Sequence, residues 1–501
     1  MAPPLPHPLP PLSPLPTSPF SAPTSILIIG SGAFGLSTAL ALAQRPDFSQ
    51  SSITVIDRAD PLSPPSKPDV LFPARDAASV DTSRVIRADY PDHAYAALAA
   101  EAQVQWRKQT NPNDLGAQGR YHESGLVLVA DTPTVPPPLA AETSAVGGNN
   151  SPGRCKKTGM DYARGSWANV LSLASHDSAV DHIRELPDTA AIRDAVGTGG
   201  CSGSWGYVNK GSGWADAGAA MAWLFDQVKQ TRRVKFVAGT VASLEHNGAA
   251  VTGAKLSDGR TISVELIVLA AGSWTGSLLD MAGQATATGQ VMAYLDLTEA
   301  EQEQLGKMPV LLNLTTGLFI IPPANRVLKV ARHAYGYVNP TTLETVPLPS
   351  SPTSTSTTDV FSHPRTHISD PSLSIPMEGA EELREALRQM IPLPELRDRP
   401  FSSTRLCWYM DTPTGDFLID YHPHWKNLFV ATGGSGHGFK FMPVIGEKIT
   451  DRIAHNGPPE FKGKWDWKPT TGSEWESVIT EDGSRGGRPG LILAVELSKG
   501  T

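Results

Sequence analysis

The chain has only three cysteines, Cys155, Cys201 and Cys407, too few for a disulfide framework, so nothing requires an oxidising compartment. It has no block of basic residues: 42 Lys and Arg face 50 Asp and Glu, a net charge of −8. That excludes the electrostatic footprint of a nucleic-acid binder or of a protein drawn to an anionic membrane. No apolar run reaches the roughly 20 residues of a membrane-spanning helix. Residues 1–24 are dense in Pro and lack the basic and apolar regions of a secretory signal, so they read as a disordered or polyproline II tail. The C-terminal Ser-Lys-Gly-Thr is not the Ser-Lys-Leu peroxisomal address. The expected location is therefore cytoplasmic or peroxisomal, without a recognisable C-terminal peroxisomal signal, and not secreted. No spacing of His, Cys and Asp resembles a metal site. What remains is a chain of 501 residues, long enough for two domains and a large core.

What is present starts with Ser25-Ile-Leu-Ile-Ile-Gly-Ser-Gly-Ala-Phe-Gly35. A short β-type run with Ile26, Ile28 and Ile29 leads into Gly30, Gly32 and Gly35, with Ala33 and Phe34 between them. A helical run follows over 36–44, rich in Ala and Leu. The first two glycines allow a tight turn and a close approach to a pyrophosphate. The third allows the helix to sit against the strand, and the helix N-terminus faces the phosphates with free N–H groups. A second strand over 52–56 ends at Asp57, where an acid hydrogen-bonds the ribose hydroxyls of an adenine nucleotide. The stretch predicts dinucleotide binding. By itself it suits NAD or FAD equally.

Further along, 78–87 places Arg84 and Arg87 three apart, on one face if the segment is helical. Helices are expected over 94–109 and 214–225, and strands over 125–130 and 234–238. A buried strand at 266–271 runs into Gly272, whose turn belongs near the first fingerprint. Apolar strands over 290–297 and 318–331 suggest a second, sheet-rich layer. Segments 133–155 and 345–373, rich in Pro, Ser and Thr, read as disordered surface insertions. The expected fold is α/β, a discontinuous FAD-binding Rossmann-like domain plus a sheet-rich α+β substrate domain. The nucleotide domain is assigned to 25–115, 205–280 and 400–455, and the substrate domain to 116–204 and 281–399. Residues 456–501 are left as a polar tail.

Near the C-terminus, Asn427-Leu-Phe-Val-Ala-Thr-Gly-Gly-Ser-Gly-His-Gly-Phe-Lys-Phe441 is again a strand, a glycine loop and a helix start. The loop offers free N–H groups to an anion, and Lys440 adds a positive charge. A helix start aimed at the N1–C2=O edge of an isoalloxazine favours its reduced, anionic form. This segment tips the choice toward flavin.

Taken together, the fingerprint, Arg84-Val-Ile-Arg87, Cys407-Trp-Tyr-Met-Asp-Thr-Pro413 and Gly436-His-Gly-Phe-Lys-Phe441 resemble the FAD-dependent amine oxidases of the D-amino-acid-oxidase superfamily. Within it the chain is similar to monomeric sarcosine oxidase, pipecolate and saccharopine oxidases and, less closely, fungal fructosyl-amine oxidases. The resemblance implies that Cys407 links covalently to the flavin. It implies that Lys329 sits over flavin N5 through a water and activates dioxygen, and that His333 is an active-site histidine. Arg84, with Ser83 beside it, matches the basic residue against the flavin ring; Lys329, His333 and Arg84 are the expected catalytic residues. Val241 matches the residue that meets the adenine, while Gly436, His437 and Gly438 belong to the flavin loop. Arg87 and Lys440 match a pair that clamps a substrate carboxylate, a task suited to a guanidinium fork plus a point charge. On a strand, Lys329, Ala331 and His333 share a face, so both polar heads are expected to reach one cavity.

The chain also departs from that pattern. Arg84 stands where fructosyl-amine oxidases tend to have lysine, which disfavours a glycated substrate. Ile320 and Val80 stand roughly where the sarcosine oxidases have a tyrosine and a histidine, which implies a less polar pocket for something larger than sarcosine, with Ile320 as a wall. The implied activity is oxidation of a secondary amine or amino acid with dioxygen as acceptor and hydrogen peroxide as product. The alternative is a flavin-dependent tailoring enzyme or dehydrogenase on the same scaffold. The expected partners are a small amine and dioxygen, and the chain is expected to work as a monomer.

Overall fold

The computed structural model describes residues 20–59, 74–132, 157–174, 182–342, 347–353, 360–469 and 477–500. Strand Ser25–Ile29 lies at the centre of a six-stranded sheet. Ser52–Asp57 and Val234–Ala238 follow on one side, Leu266–Leu269, Leu428–Thr432 and Leu418–Tyr421 on the other. All neighbours are parallel except the last pair. A parallel sheet is covered on both faces, which is why Ile26, Leu27 and Ile28 are all fully buried rather than alternating. Each buried side chain of that size contributes about 1.5–3 kcal/mol.

Helix Ala33–Gln44 covers one face, starting earlier than the sequence pattern suggested, with Gly32 as its N-cap residue. It packs on helix Met442–Ile453, whose Ile445, Ile449 and Ile453 are fully buried. The two helices touch backbone to backbone: a Cβ on Gly446 would sit 2.0 Å from the Ser37 carbonyl oxygen, and Ser37 Oγ donates to the Met442 carbonyl at 2.7 Å. This contact brings the C-terminal glycine loop to the fingerprint.

The second sheet has ten strands and is built around Thr286–Asp296. That strand pairs antiparallel with Val327–Arg332 and, from Thr286↔Asp411 to Tyr294↔Ser403, with Ser403–Asp411. Next come Leu318–Ala324, Val310–Asn313, Leu126–Ala130, Trp205–Asn209 and Ile183–Leu186. Trp205–Asn209 and Ser403–Asp411 thus belong to this larger sheet, not to the nucleotide sheet to which the sequence had assigned their segments. Pairing partners remote in sequence decide this, and no local pattern encodes them.

Three segments expected to be loose are held in place, in whole or in part. Residues 20–24 lie along the first sheet, with the Ser52 N–H donating to the Thr24 carbonyl at 2.8 Å. Of the insertion at 345–373, residues 360–373 are fixed by the pairing of Val360–Ser362 with Pro340–Thr342 and by a hydrogen bond from Thr366 Oγ1 to Asp76 at 2.8 Å. The C-terminal region buries Trp465, stacked on Phe461 at 4.0 Å, and adds strand Leu491–Ile492 to the larger sheet beside Tyr337–Val338. The insertion at 133–155 lies outside the described residues. No described helix is long and apolar enough to cross a membrane.

Candidate active site

A cavity of about 590 Å³ opens at the C-terminal ends of the parallel strands, where ligands of such sheets sit. Gly30, Gly32, Asp57, Val241, Gly272 and Gly438 line it, together with Ala33, Phe34 and Gly436. Arg84, Trp408 and Tyr409 line it too. Gly30 has φ +105°, and a Cβ there would sit 2.4 Å from the Ala270 carbonyl oxygen. Gly35 lines nothing: a Cβ there would come within 1.9 Å of the Gly30 carbonyl oxygen, so this glycine serves the close approach of helix to strand. Asp57 is held by the Ser31 N–H and Oγ, both at 2.7 Å, at the end of its strand as expected. The backbone of the glycine turns and the helix N-terminus make one wall, and an arginine with two aromatic rings makes another. That donor set fits a dinucleotide carrying an aromatic ring system.

Behind Arg84 lies a group of buried charges centred on Asp81, to which the sequence reading gave no role. Its carboxylate accepts from Lys329 Nζ at 2.7 Å, from Arg84, and from the Tyr294 hydroxyl at 2.8 Å. Burial works against that charge, yet Lys329, Arg84 and Arg405 hold Asp81 well below the usual carboxylate range. Burial in turn lowers Lys329 to about 8, with Asp81 opposing the shift. Arg84 and Arg87 do not share a helix face: Arg84–Ile86 is a strand paired with Gly213–Ala215. Arg84 Nη2 reaches the buried Cys407 Sγ at 3.5 Å. Ser83 offers its carbonyl to Lys329 at 2.8 Å and is not part of the cavity lining.

A second group surrounds Tyr90. Lys440 Nζ donates to the Tyr90 hydroxyl at 2.8 Å, and the Arg87 guanidinium stacks 4.8 Å from the Tyr90 ring centre. His437 Nε2 lies 2.8 Å from the Gly415 carbonyl, which can only accept, so Nε2 carries the proton. Nδ1 then accepts from the Tyr90 hydroxyl at 3.0 Å. Burial, with Lys440 nearby, keeps His437 well below the usual histidine range, and burial beside Arg87 lowers Lys440 strongly. His437 holds Tyr90, and Tyr90 joins the two cations. Arg87 and Lys440 are 6% and 5% exposed, and neither lies within ion-pair distance of a carboxylate among the described residues; buried Asp89 acts on both from farther away. Arg87 Nη1 has no hydrogen-bond partner among the described residues.

The structure separates residues that the sequence had grouped. Lys329 faces Asp81, whereas the strand ends at Arg332 and His333 turns to Arg485, Nδ1 to Nη1 3.0 Å. Ile320 does not reach the cavity. Ile321, not Ile320, pairs with Lys329, so Ile320 points into the other core with Leu311 and Val330. Phe319 shares the Lys329 face, its ring centre 5.6 Å from Nζ. The signals for the residues missed were weak: Asp81 is one acid ahead of two arginines, and Arg485 stands among glycines in a polar tail.

Residues 25–452 match the family of FAD dependent oxidoreductases known as DAO. The chain belongs to that family and is an FAD-dependent oxidoreductase. More particularly, it is 34% identical over 480 residues to the amino acid oxidase imqH of Aspergillus flavus, covering 88% of this chain and 95% of that protein. It is 32% identical to the amino acid oxidase fsqB of Aspergillus fumigatus, over 87% of this chain and 93% of that one. Among solved structures, fructosyl amine:oxygen oxidoreductase (Amadoriase I) from Aspergillus fumigatus is similar at TM-score 0.70 and 26% identity, covering 96% and 97% of the two chains.

Proposed function

We propose that this chain oxidises the C–N bond of an amino acid or N-substituted amino acid, with dioxygen as the final acceptor. The observation that carries the proposal is the buried pair Arg87 and Lys440, joined through Tyr90 with no carboxylate in hydrogen-bond or ion-pair contact among the described residues. Buried Asp89 offsets both only from a distance, and burial beside Arg87 pulls Lys440 well below its usual range; a substrate carboxylate in direct contact supplies the closer partner and favours the charged Lys440. Arg87 Nη1 is free to donate to it, and Lys440 adds a point charge. The amine is thereby placed against the Arg84 end of the cavity, with Tyr409 as an aromatic wall. Amino acid oxidases among the relatives support this substrate class.

When bound, FAD supplies the two-electron chemistry: hydride leaves the C–N carbon as an imine forms, and dioxygen takes up the two electrons as hydrogen peroxide. Water then hydrolyses the imine to a carbonyl compound and an amine. Lys329, held charged by Asp81, places a cation where negative charge develops on oxygen. Cys407, buried on its strand beside Arg84, attaches the cofactor covalently.

The test is an oxygen-electrode and peroxide-coupled screen of amino acids and secondary amines. Stoichiometric peroxide with a carboxylated amine, and none with the decarboxylated analogue, is the expected result. A catalyst that prefers the analogue would overturn the carboxylate clamp. Acid precipitation should leave the yellow colour in the pellet, and a yellow supernatant would refute the Cys407 link.

A further inference from the structure

We infer that Arg485, carried in by the C-terminal segment 477–500, is a positioning residue that fixes His333 as its Nε2–H tautomer. His333 is thereby a hydrogen-bond donor to the substrate and not a base. This inference rests on the proposed amine oxidation at the same site.

The segment is pinned along its length. Thr480 Oγ1 donates to the Thr412 carbonyl at 2.9 Å. Gly483 has φ +85°, and a Cβ there would meet the Thr158 carbonyl oxygen at 2.6 Å. At Gly486 a Cβ would lie 2.1 Å from the Thr316 carbonyl carbon, and the chain is bridged to Ala334. Beyond it, Leu491–Ile492 pairs with Tyr337–Val338. These contacts leave Arg485 only 1% exposed at the side chain. Its Nη2 donates to Asp411 Oδ1 at 2.5 Å and to the Ser435 carbonyl at 2.8 Å, while Thr288 Oγ1 fixes the other carboxylate oxygen at 2.6 Å.

With Nη2 so anchored, Nη1 meets His333 Nδ1 at 3.0 Å. A guanidinium can only donate, so Nδ1 must accept and the imidazole proton sits on Nε2. No described residue hydrogen-bonds Nε2, which is left for a ligand. The surroundings oppose a second proton. Arg485 approaches from the tail, Arg87 from beyond strand Arg84–Ile86, and His437 and Lys440 from the glycine loop; with burial, all four lower His333. The Tyr409 ring lies 5.8 Å away, and the Asp411 carboxylate is bound to Arg485. A neutral donor suits the chemistry. Hydride loss makes the substrate carbon electron-poor, and an imidazolium beside it would oppose the step.

The test is ¹⁵N NMR of histidine-labelled holoenzyme, with His333 assigned by its loss in His333→Asn. Wild type should keep an unprotonated Nδ1 across pH 5.5–8. In Arg485→Met, the His333 signals should move toward a mixture of the two tautomers, and its protonation should shift upward in pH from the wild-type position. Any acid limb in the kcat/KM profile should shift upward in pH with it, and the rate should fall about a hundredfold as the donor loses its fixed position. Arg485→Lys, which restores a donor, should recover most of the tautomer and the rate. A protonated Nδ1 in wild type overturns the inference without any variant, as does an Arg485→Met protein whose His333 signals and pH profile are unchanged. The expected tautomer in a wild type that oxidises no amine would overturn the proposed reaction and leave the assignment of Arg485 standing.

Discussion

In the nucleotide half of the molecule the cavity wall is mostly backbone: glycines at 30, 32, 272 and 438, the start of helix Ala33–Gln44, and few charges besides Asp57 and Arg84. Around the larger sheet and the glycine loop, the polar groups are charged side chains buried almost completely: Asp81, Lys329, Arg87, Lys440 and Arg485. The first half depends on the absence of side chains, since one added Cβ at Gly30 or Gly35 collides with a carbonyl. The second depends on compensation at Asp81, Lys329 and Arg485, whose charges are tolerable only while their partners stay in place. Recognition of the cofactor needs shape and N–H groups, whereas handling an amine, a carboxylate and dioxygen needs charge at fixed points.

Breaking the compensation should produce the largest effect. Asp81→Ala leaves Lys329, Arg84 and Arg405 without their shared anion and is expected to cost about 3–5 kcal/mol by urea unfolding. The sign with pH follows from the direction of its shift. The folded state binds the Asp81 proton less readily than the unfolded one, so this contribution is present above about pH 4 and lost as the pH falls further. The acid limb of the stability curve should therefore be shallower in Asp81→Ala.

Lys329→Met tests the same cluster in the reaction. Stopped-flow reoxidation by dioxygen should slow about a hundredfold. In wild type it should decline as the pH rises through about 8, where the Lys329 ammonium loses its proton. The variant should show no such decline.

On the glycine side, Gly35→Ala must force the helix away from the Gly30 carbonyl. A loss of about 1–3 kcal/mol is expected, with much of the protein purified colourless by visible spectroscopy. Smallest of all, Ile320→Val removes one methylene from the core remote from the cavity. It should cost about 0.5–1.5 kcal/mol in thermal unfolding and leave KM unchanged; a changed KM would restore Ile320 as a pocket wall.

Much of this contrast was legible in the sequence on the glycine side and little on the charged side. The turn at Gly30, Gly32 and Gly35 and the acid at Asp57 are local: strand, loop and helix follow each other within one βαβ unit, and their spacing carries the geometry. The flavin loop before Lys440 was readable for the same reason. Lys329 was recognisable as a residue on a buried strand, but its partner Asp81 comes from a remote segment. The face assigned to Ile320 failed because register, not alternation alone, sets which neighbour accompanies Lys329. Arg84 and Arg87 looked like a helical pair because spacing three apart suits a helix, yet pairing with Gly213–Ala215 holds Arg84 in a strand. Segment 477–500 showed no periodicity, because glycine contacts to other parts of the chain hold it rather than an amphipathic face of its own.

By itself, the sequence determined that this protein holds an adenine dinucleotide and, through the motif ending at Lys440, that the dinucleotide is a flavin. Both follow from backbone geometry that short glycine patterns encode. Only the tertiary structure decided which charges meet: Asp81 with Lys329, Arg87 with Lys440 across Tyr90, and Arg485 with His333. Each pairing joins residues from separate elements, and only the finished fold brings those elements together.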